Sequence, residues 1–422
     1  MSHYNTLGNG LKRGLLRFSE KISKGFYRPE RRFVAEMIFG MAASGSCKLT
    51  EIGRALKEDI ALKKTTERLG RNLADFSDRE ALMDNYLAAI RPSLGEKPML
   101  LIDRSDVTKP CSPKMEAIGT VYDASEDDYG DGYWTMGAVA LTEENHQPIP
   151  VYENLYPCKA QGGLGEKAEA LAALANLRKN FGPNCVRVFD RGFDSGAVME
   201  DLVAGEEHFI IRQNQNRVAV HHGRKTKIED IVKGLECTDT MRFHSKTGNV
   251  SQCEIGMTQV TLPNLGNLKL RLVVCKNFGK QPLVLYTNLD ESLDTLAVRI
   301  VKVYLMRWRI EEFYAFKKQE MHFEDFRVRR LDAIKTLDLL LTITCGYIGT
   351  LCAKAACEPF VAQLISLSRR VNKFNVFLKT TKFFFYAVRD GIACALNRLL
   401  CGISSFFCAT PPSSRQLRFP CV

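Results

Sequence analysis

The spacing of hydrophobic and polar positions changes along the chain, and with it the predicted secondary structure. Residues 1–95 show no strand-like alternation and predict helices, the first of them basic and amphipathic from Leu11 to Arg32. From Pro98 onward, short apolar runs predict strands, and helices are predicted at 164–179 and up to about Met199. The predicted strands are 98–103, 117–122, 135–141, 151–156, 185–190 and 208–212.

A second block of short strands follows, and then the chain becomes helical. Strands are predicted at 252–262, 268–275 and 283–286, and helices from 292 onward. This order predicts an α/β fold in which a mixed sheet is interrupted by an all-β insertion and flanked by helical regions. The predicted boundaries are 1–95 for the N-terminal helical domain, 96–212 and 291–335 for the two parts of the core, 213–290 for the insertion and 336–422 for the helical C-terminal region.

Residues 339–357 form the most apolar stretch, with Lys354 as their only charged residue. The stretch is long enough to span a bilayer, but threonine, cysteine, alanine and glycine occur throughout it. We therefore expect a buried core helix and no membrane association. The N-terminus has no apolar segment of the signal-peptide type, and none of the fourteen cysteines forms a CxxC pair, so we expect reduced thiols in the cytoplasm.

The positive charge of the chain is concentrated at its ends. The net charge is +11, of which residues 1–32 contribute +6 and residues 360–422 contribute +8, so the middle is slightly acidic. Basic ends suit a polyanion such as DNA, but they would also keep the protein soluble, and charge alone leaves both interpretations open. Within the first helices, Leu49–Leu56 looks like the opening of a helix-turn-helix with Thr50 as its N-cap, a pattern that ordinary short helices share.

Two predicted strands end in a carboxylate, at Asp103 and Asp190. The ends of sheet strands are a usual place for a site in α/β proteins, although aspartate also caps whatever follows a strand. Asp106 is an alternative to Asp103, but we expect it to have left the strand.

A third group of polar residues lies on one predicted helix. At 100° per residue, Tyr304, Arg307, Glu311 and Lys318 fall within about 60° of one another, opposite an apolar face. One acid among basic groups suits a metal-bound carboxylate beside phosphate-binding side chains, whereas a solvated face with an ordinary ion pair remains the alternative. Glu312 competes with Glu311 but lies about 100° around the helix.

The spacing of Tyr304, Arg307, Glu311 and Lys318 resembles the signature of the insertion-sequence transposases grouped as family four, in the DDE, RNase H-like superfamily. Asp190-Arg-Gly-Phe193 is similar to that family's second acidic motif, and Asp103-Arg-Ser105 to its first. The strand that ends at Arg212 also looks like the family's approach to its β insertion. The resemblance covers about 98–340.

The resemblance implies a DNA transposase with an RNase H-like core. Asp103, Asp190 and Glu311 would be catalytic and would hold two Mg²⁺ or Mn²⁺ ions, because hard oxygen ligands suit these ions. Cleavage at the terminal inverted repeats would precede transfer of the freed 3′ ends into target DNA. Tyr304, Arg307, Lys318 and Arg212 would contact DNA, and Trp308 would either stack on an unpaired base or pack at the helix edge.

The resemblance also implies an N-terminal domain that binds double-stranded DNA and a C-terminal region that pairs two subunits in a homodimer near the nucleoid. Two alternatives stay open. The first is an RNase H-like nuclease that cuts without joining, and the second is an inactive remnant that only binds DNA. The tail after about residue 370, including the aromatic run that begins at Lys382, departs from a clean amphipathic pattern and keeps the second alternative open.

Overall fold

The computed structural model describes residues 2–110, 112–123, 126–214, 217–244, 250–290, 295–399 and 402–403. The helices predicted for the first ninety-five residues are confirmed, but the long helix from Leu11 to Arg32 is wrong. Two helices meet there, because Gly25 adopts a positive φ of 90° and Pro29 stands in the first turn of the second helix. The five helices are α1 (Ser2–Ile22), α2 (Arg28–Ser44), α3 (Leu49–Leu56), α4 (Leu62–Asp75) and α5 (Arg79–Ile90).

The helix α3 has the predicted extent, but Thr50 is not its N-cap. Lys48 holds the cap position, since its carbonyl accepts the backbone N–H groups of Glu51 and Ile52. Thr50 therefore lies inside the first turn.

A mixed sheet forms the centre of the protein and confirms the predicted α/β class. Its first six strands are β1 (Met99–Thr108), β2 (Gly119–Asp123), β3 (Asp128–Leu141), β4 (Pro148–Tyr156), β5 (Val186–Phe189) and β6 (His208–Arg212). The order β4-β3-β1-β5-β6 has antiparallel pairs on the β3 side of β1 and parallel pairs from β1 through β5 to β6. This is the RNase H-like arrangement. Two helices, α6 (Glu166–Phe181) and α7 (Gly196–Ala204), connect its later strands.

The insertion extends the same sheet beyond β6. Its strands are β7 (Val218–His221), β8 (Arg224–Lys227), β9 (Asp239–His244), β10 (Val250–Leu262), β11 (Leu268–Lys276) and β12 (Leu283–Thr287), and β12 pairs with β6. The insertion also contains one helix that the strand pattern did not predict, α8 (Ile228–Gly234). Ile228, Ile231 and Val232 are buried on one face of it, at helical spacing.

The C-terminal part is helical, as expected, and its longest helix is a core helix. The helices are α9 (Leu296–Leu305), α10 (Trp308–Ala315), α11 (Leu331–Ala353), α12 (Pro359–Ser366), α13 (Phe374–Thr380) and α14 (Phe385–Asn397). By length and composition α11 could cross a membrane, but 89% of its most apolar window is buried inside the protein.

The N-terminal and C-terminal helices share one hydrophobic core. Buried side chains of α1, α2, α11 and α14 belong to the same cluster as those of the sheet. The irregular segment that begins at Lys382 is part of it, because Phe383, Phe384 and Phe385 are buried. The sequence from Phe406 onward, which also departs from the amphipathic pattern, lies outside the described residues.

Candidate active site

Asp103 and Asp190 lie side by side at one edge of the parallel part of the sheet. β1 and β5 are paired from Leu100 to Ile102, with Ile102 opposite Phe189, so the two aspartates are the next residue on each strand. Adjacent strands are about 4.8 Å apart, which makes the two residues neighbours. Contrary to expectation, β1 does not end at Asp103. It continues to Thr108 because its antiparallel pairing with β3 goes on after the parallel pairing stops.

The turn after β5 explains the Asp190-Arg-Gly-Phe193 motif. Residues 191–193 form a short 3₁₀ turn, and the Asp190 carboxylate caps it by accepting the backbone N–H of Gly192 at 2.8 Å. Asp190 remains partly exposed, and its charge acts on Asp103.

The predicted regular helix from Tyr304 to Lys318 is wrong, because the segment is broken twice. α9 ends at Leu305, a turn at 306–307 separates it from α10, and a π-helical turn follows at Phe316–Glu320. The apolar side of the segment is buried as expected, at Ile310, Phe313 and Phe316. One helical wheel therefore does not describe the whole segment from 304 to 318.

Arg307 joins the sheet edge to the third acid. Its guanidinium donates to Asp103 Oδ2 at 2.7 Å and also to the Glu311 carboxylate one turn later. The side chains of Asp103 and Arg307 are 12% and 14% exposed, so this ion pair is largely buried and is not a solvated surface pair. Glu312 points elsewhere, to Arg309 at 2.5 Å. Asp103 and Glu311 therefore meet at one guanidinium, with Asp190 beside them.

The electrostatics of this cluster are strongly perturbed. Burial raises the pKa of Asp103 to about 7; Arg307 opposes the rise, and the neighbouring Asp190 and Glu311 carboxylates add to it. Burial acts to lower the pKa of Arg307, but Asp103, Tyr304, Glu311 and Asp190 together outweigh it and raise the pKa. Strong pKa shifts caused by neighbouring charged side chains at a strand edge are typical of functional sites.

Tyr304 and Arg212 lie at the same cluster. Tyr304 is 6% exposed, and burial raises its pKa against the opposing charges of Arg307 and Arg212. Arg212, at the end of β6, also lines a cleft of about 320 Å³ together with Arg191. The structure thus brings the predicted Arg212 and Tyr304 near the acids.

Trp308 lies at the mouth of the site. Its ring is 48% exposed and borders a cleft of about 480 Å³ that Glu311 and Tyr386 also line. This position favours stacking on a ligand over packing at the helix edge, and the role stays a prediction.

Lys318 is not at the acid cluster. Its ammonium donates to Asp106 Oδ2 at 2.8 Å and lies 3.2 Å from Glu324. Asp106, which we expected outside the strand, is a residue of β1 and is buried. Lys318 therefore contacts the same strand as Arg307, three residues further on.

The carboxylate groups of the three acids are suitable ligands for divalent metal ions, but their positions in this structure are not. Carboxylate oxygens are the ligands that Mg²⁺ and Mn²⁺ prefer. Among the described residues, however, no three acid, histidine or cysteine side chains lie close enough to share one ion. Arg307 lies between Asp103 and Glu311, so metal binding requires its guanidinium to withdraw.

A buried ion cluster, which the sequence analysis missed, packs next to the candidate site. Lys317 is 2% exposed and contacts Glu153 of β4 at 3.0 Å and Asp338 of α11 at 2.5 Å. Of these charges, Asp338 is flanked by leucines in the apolar run of α11, which is the signal that could have revealed the cluster. Next to them, the Tyr314 hydroxyl donates to the Asp103 carbonyl at 2.9 Å.

Gly137 of β3 leaves space for the Tyr314 hydroxyl to reach β1. It lies opposite Asp103 on one side and Glu153 on the other. A Cβ atom at this position would stand 2.5 Å from the Tyr314 hydroxyl. Only glycine leaves room for the tyrosine to reach the strand that carries Asp103.

Comparison with known proteins identifies a related domain. Residues 140–345, just under half of the chain, match the family model described as the transposase DDE domain. The matched region contains Asp190 and Glu311, while Asp103 precedes it. Among solved structures, the chain is similar to that of a cryo-EM piggyBac transposase synaptic complex with hairpin DNA. The TM-score is 0.43 and the identity is 11%, over 92% of this chain and 79% of that one.

Proposed function

We propose that this protein is a DNA transposase that cuts the ends of a mobile element and joins them to target DNA, with Asp103, Asp190 and Glu311 as its acidic triad. The observation that carries the proposal is the meeting of the Asp103 and Glu311 carboxylates at one buried arginine, with Asp190 directly after the neighbouring strand. The transposase DDE domain match over residues 140–345 supports it. The spacing of Tyr304, Arg307, Glu311 and Lys318 further favours insertion-sequence family four.

The proposal includes two Mg²⁺ or Mn²⁺ ions held by the three acids. When bound, such ions supply an activated oxygen nucleophile and stabilise the leaving oxygen of a phosphodiester. The chain's own contribution is to fix the acids. β1 and β5 hold Asp103 and Asp190 on adjacent strands, and the Gly192 N–H orients Asp190.

Arg307 has two partners in this proposal. Without DNA it neutralises Asp103 and Glu311, and with DNA it contacts a phosphate near the scissile bond. Tyr304 and Arg212 border the same phosphate position, and Trp308 stacks on a base. Lys318 contacts a phosphate further along the strand.

We propose further that the N-terminal helices bind double-stranded DNA at the inverted repeats and that two subunits act together on paired ends. The cytoplasm suits this reaction, and the free cysteines of the described part of the chain are consistent with a reducing compartment.

The substitution Glu311→Gln tests the proposal. It keeps the shape and one hydrogen bond to Arg307 but removes an ionic ligand, so we expect loss of Mg²⁺-dependent nicking of end DNA with binding retained. Glu312→Gln is the matched control on the same helix, and it should leave nicking unchanged. Nicking by Glu311→Gln at the wild-type rate would refute the triad.

The alternative of a nuclease without strand transfer requires a separate assay. If the wild-type protein nicks end DNA but never joins a pre-cut 3′ end to a second duplex, the nuclease interpretation is correct. If it binds DNA and does neither, the protein is a remnant.

A further inference from the structure

A cleft of about 770 Å³ opens where β1 ends, beyond the acid cluster. Its walls come from three separate segments: the chain after β1, the loop 324–329 and the residue before α3. The basic side chains that line it are Lys48, Lys109, Lys114, Arg327 and Arg329. We call this feature the basic cleft.

The two acids in the basic cleft already have partners. Glu324 accepts the backbone N–H of Thr108 at 3.1 Å and lies 3.2 Å from Lys318. Asp325 lies 2.6 Å from Lys48 and 3.2 Å from His322. The cleft therefore retains an excess of positive charge.

Three of the basic side chains are available to a ligand. Lys114, Arg327 and Arg329 are exposed, and no side-chain hydrogen bond or ion pair joins them to the described residues. Lys109 is buried at the base and donates to the carbonyls of Glu324 and Phe326 at 2.6 and 2.7 Å. Among the described residues, no carboxylate forms an ion pair with the Lys109 ammonium group. Lys109 therefore adds positive charge to the base of the cleft.

The arginine-bearing loop is held in place. The Glu116 backbone N–H donates to the Arg329 carbonyl at 2.9 Å, and the Glu116 carboxylate accepts the Leu331 N–H at 2.8 Å. The Tyr133 hydroxyl of β3 in turn donates to the Glu116 carbonyl at 2.7 Å. Because its backbone is fixed at these points, the loop presents Arg327 and Arg329 with little ordering cost on binding.

The basic cleft continues a line of basic groups along β1. Arg307 contacts Asp103, Lys318 contacts Asp106, and the cleft begins at Thr108. Five residues of strand span about 17 Å, and phosphates of one DNA strand follow one another at about 3.4 Å along the helix axis. The cleft thus lies about five nucleotides from a phosphate bound at Asp103.

We infer that the basic cleft binds the backbone of the same DNA duplex that is cut at Asp103, about five nucleotides from the scissile phosphate. The inference rests on the proposed function, because it takes Asp103 as the point of cleavage. The ligand is duplex DNA, since the charges are spread along a strand direction and the two available arginines present forks suited to phosphate.

The test compares Arg327→Ala/Arg329→Ala with Arg330→Ala. Arg330 directly follows this loop and is exposed but does not line the cleft, so it is the matched control. In the full chain, the double variant should bind an end duplex on the order of tenfold more weakly at low salt, and the slope of log K against log salt should fall by about two. Arg330→Ala should leave both unchanged.

A second probe locates the contact. Methylphosphonates placed about five nucleotides from the cleavage point remove phosphate charge and should weaken binding by the wild-type protein but not by the double variant. Equal weakening of both proteins, or equal salt slopes for the double variant and Arg330→Ala, would refute the inference. Wild-type nicking is scored on the unmodified duplex. If the wild-type protein nicks the duplex but the double variant binds DNA as Arg330→Ala does, only the inference is refuted. If the double variant binds more weakly as expected but the wild-type protein does not nick, only the proposed function is refuted.

Discussion

Asp103 and Asp106 are three residues apart on β1 and equally buried, yet their partners differ. Asp103 faces Arg307, Asp190 and Glu311, whereas Asp106 faces Lys318. From the sequence alone, the only reason to prefer Asp103 as a site residue is that Asp106 lies beyond the predicted end of the strand. Their surroundings place Asp103, and not Asp106, beside Asp190 and Glu311.

Asp103→Asn and Asp190→Asn should each abolish Mg²⁺-dependent nicking and leave DNA binding nearly unchanged, because in the proposed function each residue is a metal ligand and not a phosphate contact. Asp106→Asn is the control: it should still nick, at a reduced rate, because it alters only the partner of Lys318. Nicking assays run beside gel shifts measure both properties. A wild-type rate for Asp103→Asn would exclude this residue from the site.

The burial of the Arg307–Asp103 pair leads to a prediction about stability. An exposed ion pair is worth roughly half a kcal/mol, but leaving a buried charge without its partner costs about 3 kcal/mol or more. We expect Arg307→Ala to lower the free energy of unfolding by about 3 kcal/mol and to weaken DNA binding. Urea unfolding and gel shifts would measure the two effects.

The control for this prediction is Arg309→Ala. Arg309 is as buried as Arg307, at 13% exposure, and pairs with Glu312. Its loss should reduce stability but spare DNA binding. If both variants weakened DNA binding equally, Arg307 would have no special position at the phosphate.

At the scale of elements, the π-helical turn Phe316–Glu320 determines where two neighbouring lysines point. Phe316 packs against Phe385 of the C-terminal helix with ring centroids 5.1 Å apart. The turn directs Lys317 inward to Glu153 and Asp338, and Lys318 outward to Asp106. The turn thus connects Lys317, in the buried ion cluster, to Lys318, which contacts Asp106 of β1.

Lys317→Met should destabilise the protein far more than Lys318→Met. Removing the buried lysine leaves two buried carboxylates without a cation, at a cost of about 3–5 kcal/mol, whereas Lys318 is partly exposed. Equilibrium unfolding in urea measures the difference. Similar losses in the two variants would contradict the assignment of Lys317 as the structural partner.

The same ion cluster predicts a pH dependence of stability. Burial raises the pKa of Glu153 from 4.5 to about 7, against the attraction of Lys317, and Asp338 adds to the rise. Between these values the folded chain holds a proton that the unfolded chain releases. The stabilisation is complete below pH about 4.5 and is lost as the pH rises through about 7.

Glu153→Gln should flatten this dependence, because glutamine does not titrate. The free energy of unfolding, measured by urea titration at several pH values between about 5 and 8, should fall more steeply with pH in the wild-type protein. The extra slope is at most about 1.4 kcal/mol per pH unit for one proton. Asp103 titrates in the same range, but it is present in both proteins and cancels in the comparison. Parallel curves would contradict the raised pKa of Glu153.

At the scale of the whole molecule, the basic N-terminus is part of the common core. Leu11 and Leu15 of α1 are buried, while Arg13, Arg17 and Lys21 are exposed at four-residue spacing on the opposite face. A fragment of the N-terminal helices would expose the side chains that the C-terminal helices cover. DNA binding by this region is therefore best tested in the full chain.

The triple variant Arg13→Ala/Arg17→Ala/Lys21→Ala should reduce the slope of log K against log salt by about three if this face binds DNA. Arg224→Ala/Lys225→Ala is the control, since β8 is the outermost strand of the sheet and both side chains are exposed. It should leave the slope unchanged. An unaltered slope in the triple variant would show that the N-terminal charge serves solubility.

The sequence by itself determined where the core strands lie, though not where each one ends, and which two acids follow neighbouring apolar runs. β6 has the predicted bounds, and Asp103 and Asp190 follow apolar runs that pair in the sheet. These features depend on local periodicity, which a single sequence carries, and on parallel strands ending at one edge. The four-residue spacing of Arg307 and Glu311 is equally local, and it is kept inside one helical turn.

Only the tertiary structure decided which polar groups lie together beyond that turn. A regular helix from Tyr304 to Lys318 would place Lys318 at the acids, but the turn at 306–307 and the π-helical turn place it at Asp106. The partners found near these breaks are distant in sequence: Phe385 for Phe316, and Glu153 for Lys317. Periodicity describes neighbours within an element, whereas packing between elements fixes where a helix departs from it.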